Sequence, residues 1–190
     1  EYKILNSEEL IHFDPFYAKS PVHYSGAIFC PGDASGDCYA FSRDLTIICR
    51  DKGVEFLFNT AINNFLVENN RAKSIQTDQG DIEADIFITA CGSLSPLICK
   101  QIGISLPIYP VKGYSLTLPI LINELTPETS GIDEENFLAF CRIGSNIRIT
   151  SRAEFMGYDK SIDPLVVTKL TYLTKQLFAE TLDYDNSIPW

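Results

Sequence analysis

Thr89-Ala90-Cys91-Gly92 ends an apolar run, Ala84-Asp85-Ile86-Phe87-Ile88, and Ser95-Pro96 follows at once as a helix start. Small residues at a strand end let a ligand approach the backbone, and Gly92 can supply a positive φ. The N–H groups at the start of the next helix suit a phosphate or carbonyl oxygen. A ligand-free corner between strand and helix needs the same residues, and the pattern alone leaves both readings open.

Other chemistry has less support. A serine or cysteine nucleophile needs a nearby base, and the only histidines, His12 and His23, sit in the N-terminal region beside Phe13 and Tyr24. Both read as surface or packing residues. An apolar strand disfavours the thiolate that thiol chemistry needs, so Cys91 is not read as reactive. Asp33 and Asp37 lack the alternating ligands and closing glutamate of a calcium loop, so they read as turn and cap. Asp133-Glu134-Glu135 reads as a solvated loop. Six cysteines without a CxxC pair argue against zinc and for free thiols in a reducing compartment. No catalytic acid–base residue and no metal ligand is assigned. Tyr109, Tyr114, Phe137 and Phe140 fall on strands, where they line a pocket or build a core; composition favours core.

The elements follow from spacing and turn chemistry. A short helix is expected around Ser7–Leu10, a strand at 26–29 and a loop over 31–37. Asp37 caps a helix of about 38–52 with Phe41, Leu45, Ile48 and Cys49 on one face, stopped by Gly53. Strands are expected at Val54–Phe58, 61–68, 72–77 and 82–90, the last three as a meander turned at Asn69-Asn70 and Asp78–Asp81. A short helix from Ser95-Pro96 closes at Gly103. Beyond it come a strand after Lys112, an acidic loop at 126–136 and a hairpin of Phe137–Cys141 with Ile147–Phe155. Asp163-Pro164 then opens a long helix of about 164–181, with Val166, Leu170, Leu173 and Leu177 aligned.

The fold class expected is α/β plus α+β. Part of a nucleotide-binding domain (β-meander, strand-turn-helix) joins an antiparallel-sheet domain with a long helix. The boundaries expected are an entry segment 1–30, a first domain 31–104 and a second 105–190. A net charge of −10 and a pI near 4.6 argue against nucleic acid and offer no polybasic patch for a membrane. No run approaches the roughly 20 apolar residues that span a bilayer. Glu1 in place of Met, and Trp190 at the other end, read as cuts within a longer chain.

Several stretches together resemble the FAD-dependent amine oxidoreductases of the D-amino-acid oxidase fold, in particular the branch of bacterial D-amino acid dehydrogenases. They are Phe29–Cys38 (FCPGDASGDC), Gly53–Phe56, Asn59-Thr60-Ala61-Ile62, Ala84–Ser93, Pro107–Thr117 (PIYPVKGYSLT) and the strand from Ile147-Arg148-Ile149 to Gly157-Tyr158. The match runs in order along nearly the whole chain. The resemblance implies FAD as cofactor, contacted by Thr89, Ala90, Cys91 and Gly92, with Ile62 meeting the adenine end through its backbone. It implies substrate contacts at Tyr114 and Phe140, and a D-amino acid such as D-alanine oxidised to a 2-oxo acid and ammonia. It also implies electron transfer to a quinone or respiratory carrier and a cytoplasmic protein peripheral to the inner membrane. Surface exposed where the missing part should dock points to a homodimer.

In that family a glycine-rich loop for the FAD pyrophosphate comes before the part matched here, and a Gly-x-Arg-Pro motif with the carboxylate-binding arginine comes after it. The 190 residues are therefore expected to be a central segment, inactive in isolation. Glycine or sarcosine oxidation on the same fold is the alternative enzyme, and a non-enzymatic α/β binding module the alternative class. One departure stands out. Where relatives carry a Gly-Gly step, this chain has Ser151-Arg152, which puts the local backbone path in question.

Overall fold

Asn6 ends strand β1 (Lys3–Asn6) and opens helix α1 (Ser7–Phe13). Its side chain accepts from the Glu9 N–H at 3.0 Å, while the Glu9 carboxylate accepts from the Asn6 N–H at 2.9 Å. This capping box satisfies two N–H groups that a helix start leaves unpaired. The computed structural model describes residues 1–190 in two units. One joins Glu1–Phe41 to Val111–Trp190, and the other is the intervening Ser42–Pro110.

The first unit begins with β1, α1, a helical turn α2 (Phe16–Lys19) and β2 (Gly26–Phe29), which pairs antiparallel with β1. β1 was not foreseen; three of its four residues are exposed and show no alternation. Helix α3 (Cys38–Asp51), whose residues from Ser42 on belong to the second unit, starts where Asp37 accepts from the N–H groups of Tyr39 and Ala40 at 2.9 and 3.0 Å. It stops at Gly53, whose φ of +86° suits glycine.

In the second unit β3 (Ile62–Glu68), β4 (Arg71–Thr77) and β5 (Gly80–Glu83) form the expected antiparallel meander. Asn69 and Asn70, both at positive φ, turn β3 into β4 as the right-handed strand twist favours. One expected strand does not form and another stops short. Val54–Phe58 is irregular, and the run expected as a strand to residue 90 is regular only to Glu83. Both are apolar enough, but a strand also needs a hydrogen-bonded neighbour, and no other strand of the chain pairs with either. Val54, Leu57, Ile86 and Ile88 are accordingly exposed. A 3-10 turn at Gly92–Leu94 leads into helix α4 (Ser95–Lys100).

The first unit resumes with β6 (Lys112–Pro119), β7 (Gly131–Asp133), β8 (Leu138–Ile143), β9 (Asn146–Glu154), helix α5 (Pro164–Phe178) and β10 (Ile188–Pro189). The sheet runs β10-β6-β9-β8-β7, antiparallel throughout. β7 lies within the stretch expected to be an acidic loop. Asp163 caps α5 by accepting from the Leu165 N–H at 2.9 Å, with Pro164 in the first turn.

Alternation turns Tyr114, Leu116 and Leu118 of β6, Leu138 and Phe140 of β8, and Ile147 and Ile149 of β9 to one face. There they share a core with Val166, Leu170, Leu177 and Phe178 of α5 and Phe16 of α2. Each such side chain contributes about 1.5–3 kcal/mol by leaving water.

The β6–β9 ladder contains one irregularity that bears on the site. Gly113 faces Ala153 and Tyr114 faces Ser151, so Arg152 is an extra, bulged residue at φ +63°. A bulge shifts the alternation by one. Glu154, opposite Lys112, therefore joins the face of Tyr114 instead of the reverse face.

Candidate functional site

The Thr89–Gly92 turn belongs to the second unit. Phe87 meets Phe65 of β3 edge to face at 6.1 Å, and this ring contact fastens the unpaired segment to the meander. The Cys91 N–H donates to the Ser95 hydroxyl at 3.1 Å, which fixes the corner before α4. Gly92 has φ +53°, and a Cβ built there would meet no atom within 4 Å. Thr89, Ala90 and Cys91 are exposed. The corner is thus an open backbone surface with small side chains.

Ile62 opens β3 and is 38% exposed. Just before it, the Ala61 N–H donates to the Asp78 carboxylate at 2.9 Å and the Ala61 carbonyl accepts from the Asp78 N–H at 3.2 Å. This two-way clasp ties the start of β3 to the β4–β5 turn. Beside it lies a hollow of about 500 Å³ lined by Phe56–Thr60 and residues 77 and 79–82. Phe56 and Phe58 stack at 5.6 Å, with the Arg50 guanidinium over both rings at 5.5 and 5.6 Å.

Tyr114 and Phe140 belong to the first unit and are 3% and 5% exposed. Phe140 meets Phe178 edge to face at 5.6 Å. The Tyr114 hydroxyl donates to the Glu154 carboxylate at 3.3 Å, and the Lys112 ammonium stands 5.2 Å from the Tyr114 ring centre and 3.6 Å from the same carboxylate. Lys112 also donates to the Ser161 carbonyl at 3.1 Å. Its pKa is raised, first by the hydrogen bond with Tyr114 and then by the charges of Asp159 and Glu154. The bulge at Arg152 makes this cluster possible.

The reverse face of the sheet was not singled out in the sequence. By register it carries Ser115 and Thr117 of β6, Arg148 and Thr150 of β9, and Ala139 and Cys141 of β8. Arg148 donates through Nε to the Thr117 hydroxyl at 3.1 Å. The Ser115 hydroxyl is buried without a hydrogen-bond partner. Burial pushes the Cys141 thiol up, against the pull of Arg148 across the strand pair. The signal for this face was available: if Tyr114 points one way along β6, Ser115 must point the other.

The family model described as FAD dependent oxidoreductase (DAO) matches residues 1–188. The D-amino acid dehydrogenase of Granulibacter bethesdensis is 38% identical over 189 residues, covering 100% of this chain and 45% of that protein. The D-amino acid dehydrogenase of Agrobacterium fabrum is 36% identical over the same shares. Among solved structures, glycine oxidase from Geobacillus kaustophilus aligns with TM-score 0.83 at 18% identity, and L-proline dehydrogenase from P. horikoshii with 0.80 at 18%. Each alignment covers 100% of this chain and 50% of the other. The chain spans about 45% of the length of the curated relatives it matches.

Proposed function

This chain belongs to the FAD-dependent oxidoreductase (DAO) family, and from that premise we propose that the whole protein is a D-amino acid dehydrogenase. The observation that carries the reading is the 38% and 36% identity, along the entire chain, to relatives of that name. Ile62, through its backbone, and Thr89, Ala90, Cys91 and Gly92 would hold FAD. The open Gly92 corner, where even a Cβ meets nothing within 4 Å, fits close approach of a cofactor to the backbone.

FAD, when bound, supplies a two-electron acceptor for the substrate's α-hydrogen. The substrate is a D-amino acid such as D-alanine with its amine neutral. The α-hydrogen leaves with its bonding pair, the nitrogen lone pair forms a C=N bond and a proton leaves the nitrogen. Water then adds to the imine carbon and releases ammonia and a 2-oxo acid. No side-chain base is required on carbon, so the protein's part is to orient the amine and exclude water. Tyr114 and Phe140 act in this as positioning residues. Packed under the sheet, they pin the strands whose reverse face carries Ser115, Thr117 and Thr150.

The electrons pass on to a quinone or respiratory carrier. No helix of the chain is long and apolar enough to cross a membrane, and the reading places the protein in the cytoplasm, peripheral to the inner membrane. It includes a homodimer, for which the exposed Tyr39, Phe41, Leu45 and Ile48 of α3 offer apolar surface. A glycine-oxidase-type activity is the second reading, favoured by the 0.83 TM-score to such an enzyme.

The test is to record the visible spectrum of the whole protein and add D-alanine without oxygen. Flavin absorbance that bleaches supports the dehydrogenase. Bleaching by glycine or sarcosine alone moves the assignment to the second reading. A colourless protein that ignores added FAD overturns both. Gly92→Val, which puts a β-branched side chain at positive φ, is expected to abolish flavin retention.

A further inference from the structure

A second hollow, in the first unit, takes no part in the reaction described above. It holds about 290 Å³ between the β9 bulge, the turn before β8 and helix α5. Val166, Leu170 and Leu173 give it an apolar floor and Phe137 a wall, while Arg152 and Lys169 bring two positive charges. No carboxylate lines it. Glu154 offsets one charge, pairing with Arg152 at 2.6 Å, but Lys169 makes no ion pair. The hollow therefore carries a net positive charge over an apolar surface.

Its border is strained at two places. Phe137 has φ +52° and Arg152 φ +63°, and neither is glycine. Non-glycine residues in the left-handed region cluster where a ligand or a switch needs the backbone. Phe137 is also 75% exposed, an uncommon setting for a phenylalanine that ends a turn.

We propose that this hollow binds short monocarboxylates with an apolar tail, the carboxylate held by Arg152 and Lys169 and the tail lying on Val166, Leu170 and Leu173. The volume sits at the small end for ligand pockets, roughly 300–1,000 Å³, which suits a compact acid. The two cations also discriminate. A zwitterionic amino acid would bring its ammonium against Arg152 and Lys169, whereas a 2-oxo acid of the same skeleton brings only its negative charge. On the reaction proposed above, and only on it, the hollow is a product site separate from the flavin contacts.

The experiment is calorimetric titration of the whole protein with 4-methyl-2-oxopentanoate and, in parallel, with D-leucine. Lys169 is exposed, so its variants are expected to fold, with circular dichroism as the check. Lys169→Glu is expected to weaken one class of 2-oxo acid site at least tenfold and to leave D-leucine binding unchanged, and Lys169→Arg to restore the site. Affinity for the oxo acid that is indifferent to Lys169→Glu overturns the proposal. So does an equal loss of D-leucine, which would place Lys169 at the amino acid site. Because binding is read without turnover, a Lys169-sensitive site in a protein whose flavin fails to bleach retains the pocket and removes the product assignment.

Discussion

Arg152 offers a direct measurement of strain at the β9 bulge. Its φ of +63° costs an L-residue about 1–2 kcal/mol relative to glycine. Glycine returns about 0.5–1 kcal/mol of that through the greater freedom it gives the unfolded chain. The Arg152–Glu154 pair, with the arginine side chain 51% exposed, contributes about 0.5 kcal/mol after solvent screening. Arg152→Ala keeps the strain and loses the pair, so it is expected to destabilise by about 0.5 kcal/mol. Arg152→Gly loses the pair but releases the strain, and should lie close to the parent. The informative quantity is the gap between the two variants, about 1 kcal/mol in favour of glycine. Urea unfolding of the whole protein, followed by circular dichroism, reads it as a shift in midpoint at constant slope. An alanine variant as stable as the glycine variant would refute the account of the bulge.

Three further outcomes are expected. Gly131→Ala would place a Cβ 2.6 Å from the Phe140 ring, and displacing that ring should cost about 1–3 kcal/mol in the same assay. Asp14→Ala removes the acceptor for the Phe16 and Glu128 N–H groups and the Thr129 hydroxyl, each at 3.0 Å; leaving them unpaired should cost about 2–3 kcal/mol. Alkaline stability should fall in a defined window. Burial, with the charge of Asp14 behind it, pushes Tyr17 up to about 12, and burial likewise pushes Tyr24 and Tyr184 upward. A folded pKa above the unfolded value means that stability is intact below about pH 10 and is lost as pH rises towards the folded value. Ultraviolet titration of phenolate should therefore show these tyrosines ionising with unfolding; reversible ionisation of all nine with the fold intact would contradict it.

Local signals carried much of the fold. Asp37, Gly53, Asp163 and Pro164 mark helix ends whose geometry depends on neighbours within a few residues, and α3 and α5 stand where those residues put them. The hairpin of β8 and β9 is legible for the same reason. Val54–Phe58 and Ile86–Ala90 were misread because apolar β-formers state a propensity, whereas a strand is a relation to a second segment. Within the candidate site, the Thr89–Gly92 corner was legible as a turn from its small residues. The environment of Tyr114 and Phe140 was only half so: alternation gives two faces and does not say which one α5 covers. The bulge was hidden outright, because arginine occupies a left-handed position for which glycine is the usual sign.

The first unit is interrupted in sequence by the second, and this has a consequence for how the chain is made. The Ser20 hydroxyl donates to the Leu177 carbonyl, 157 positions later, and Phe16 stacks on Phe178 at 5.5 Å. At ribosomal speeds of about 5–20 residues per second, those partners emerge some 8–30 s apart. Until the sheet and α5 have emerged, Phe16 has no core to enter. The meander at 62–83 has its neighbours close in sequence and can close on itself within the same interval. Burial of the β1–β2 segment is therefore a late event, set by how quickly the sheet and α5 follow the meander.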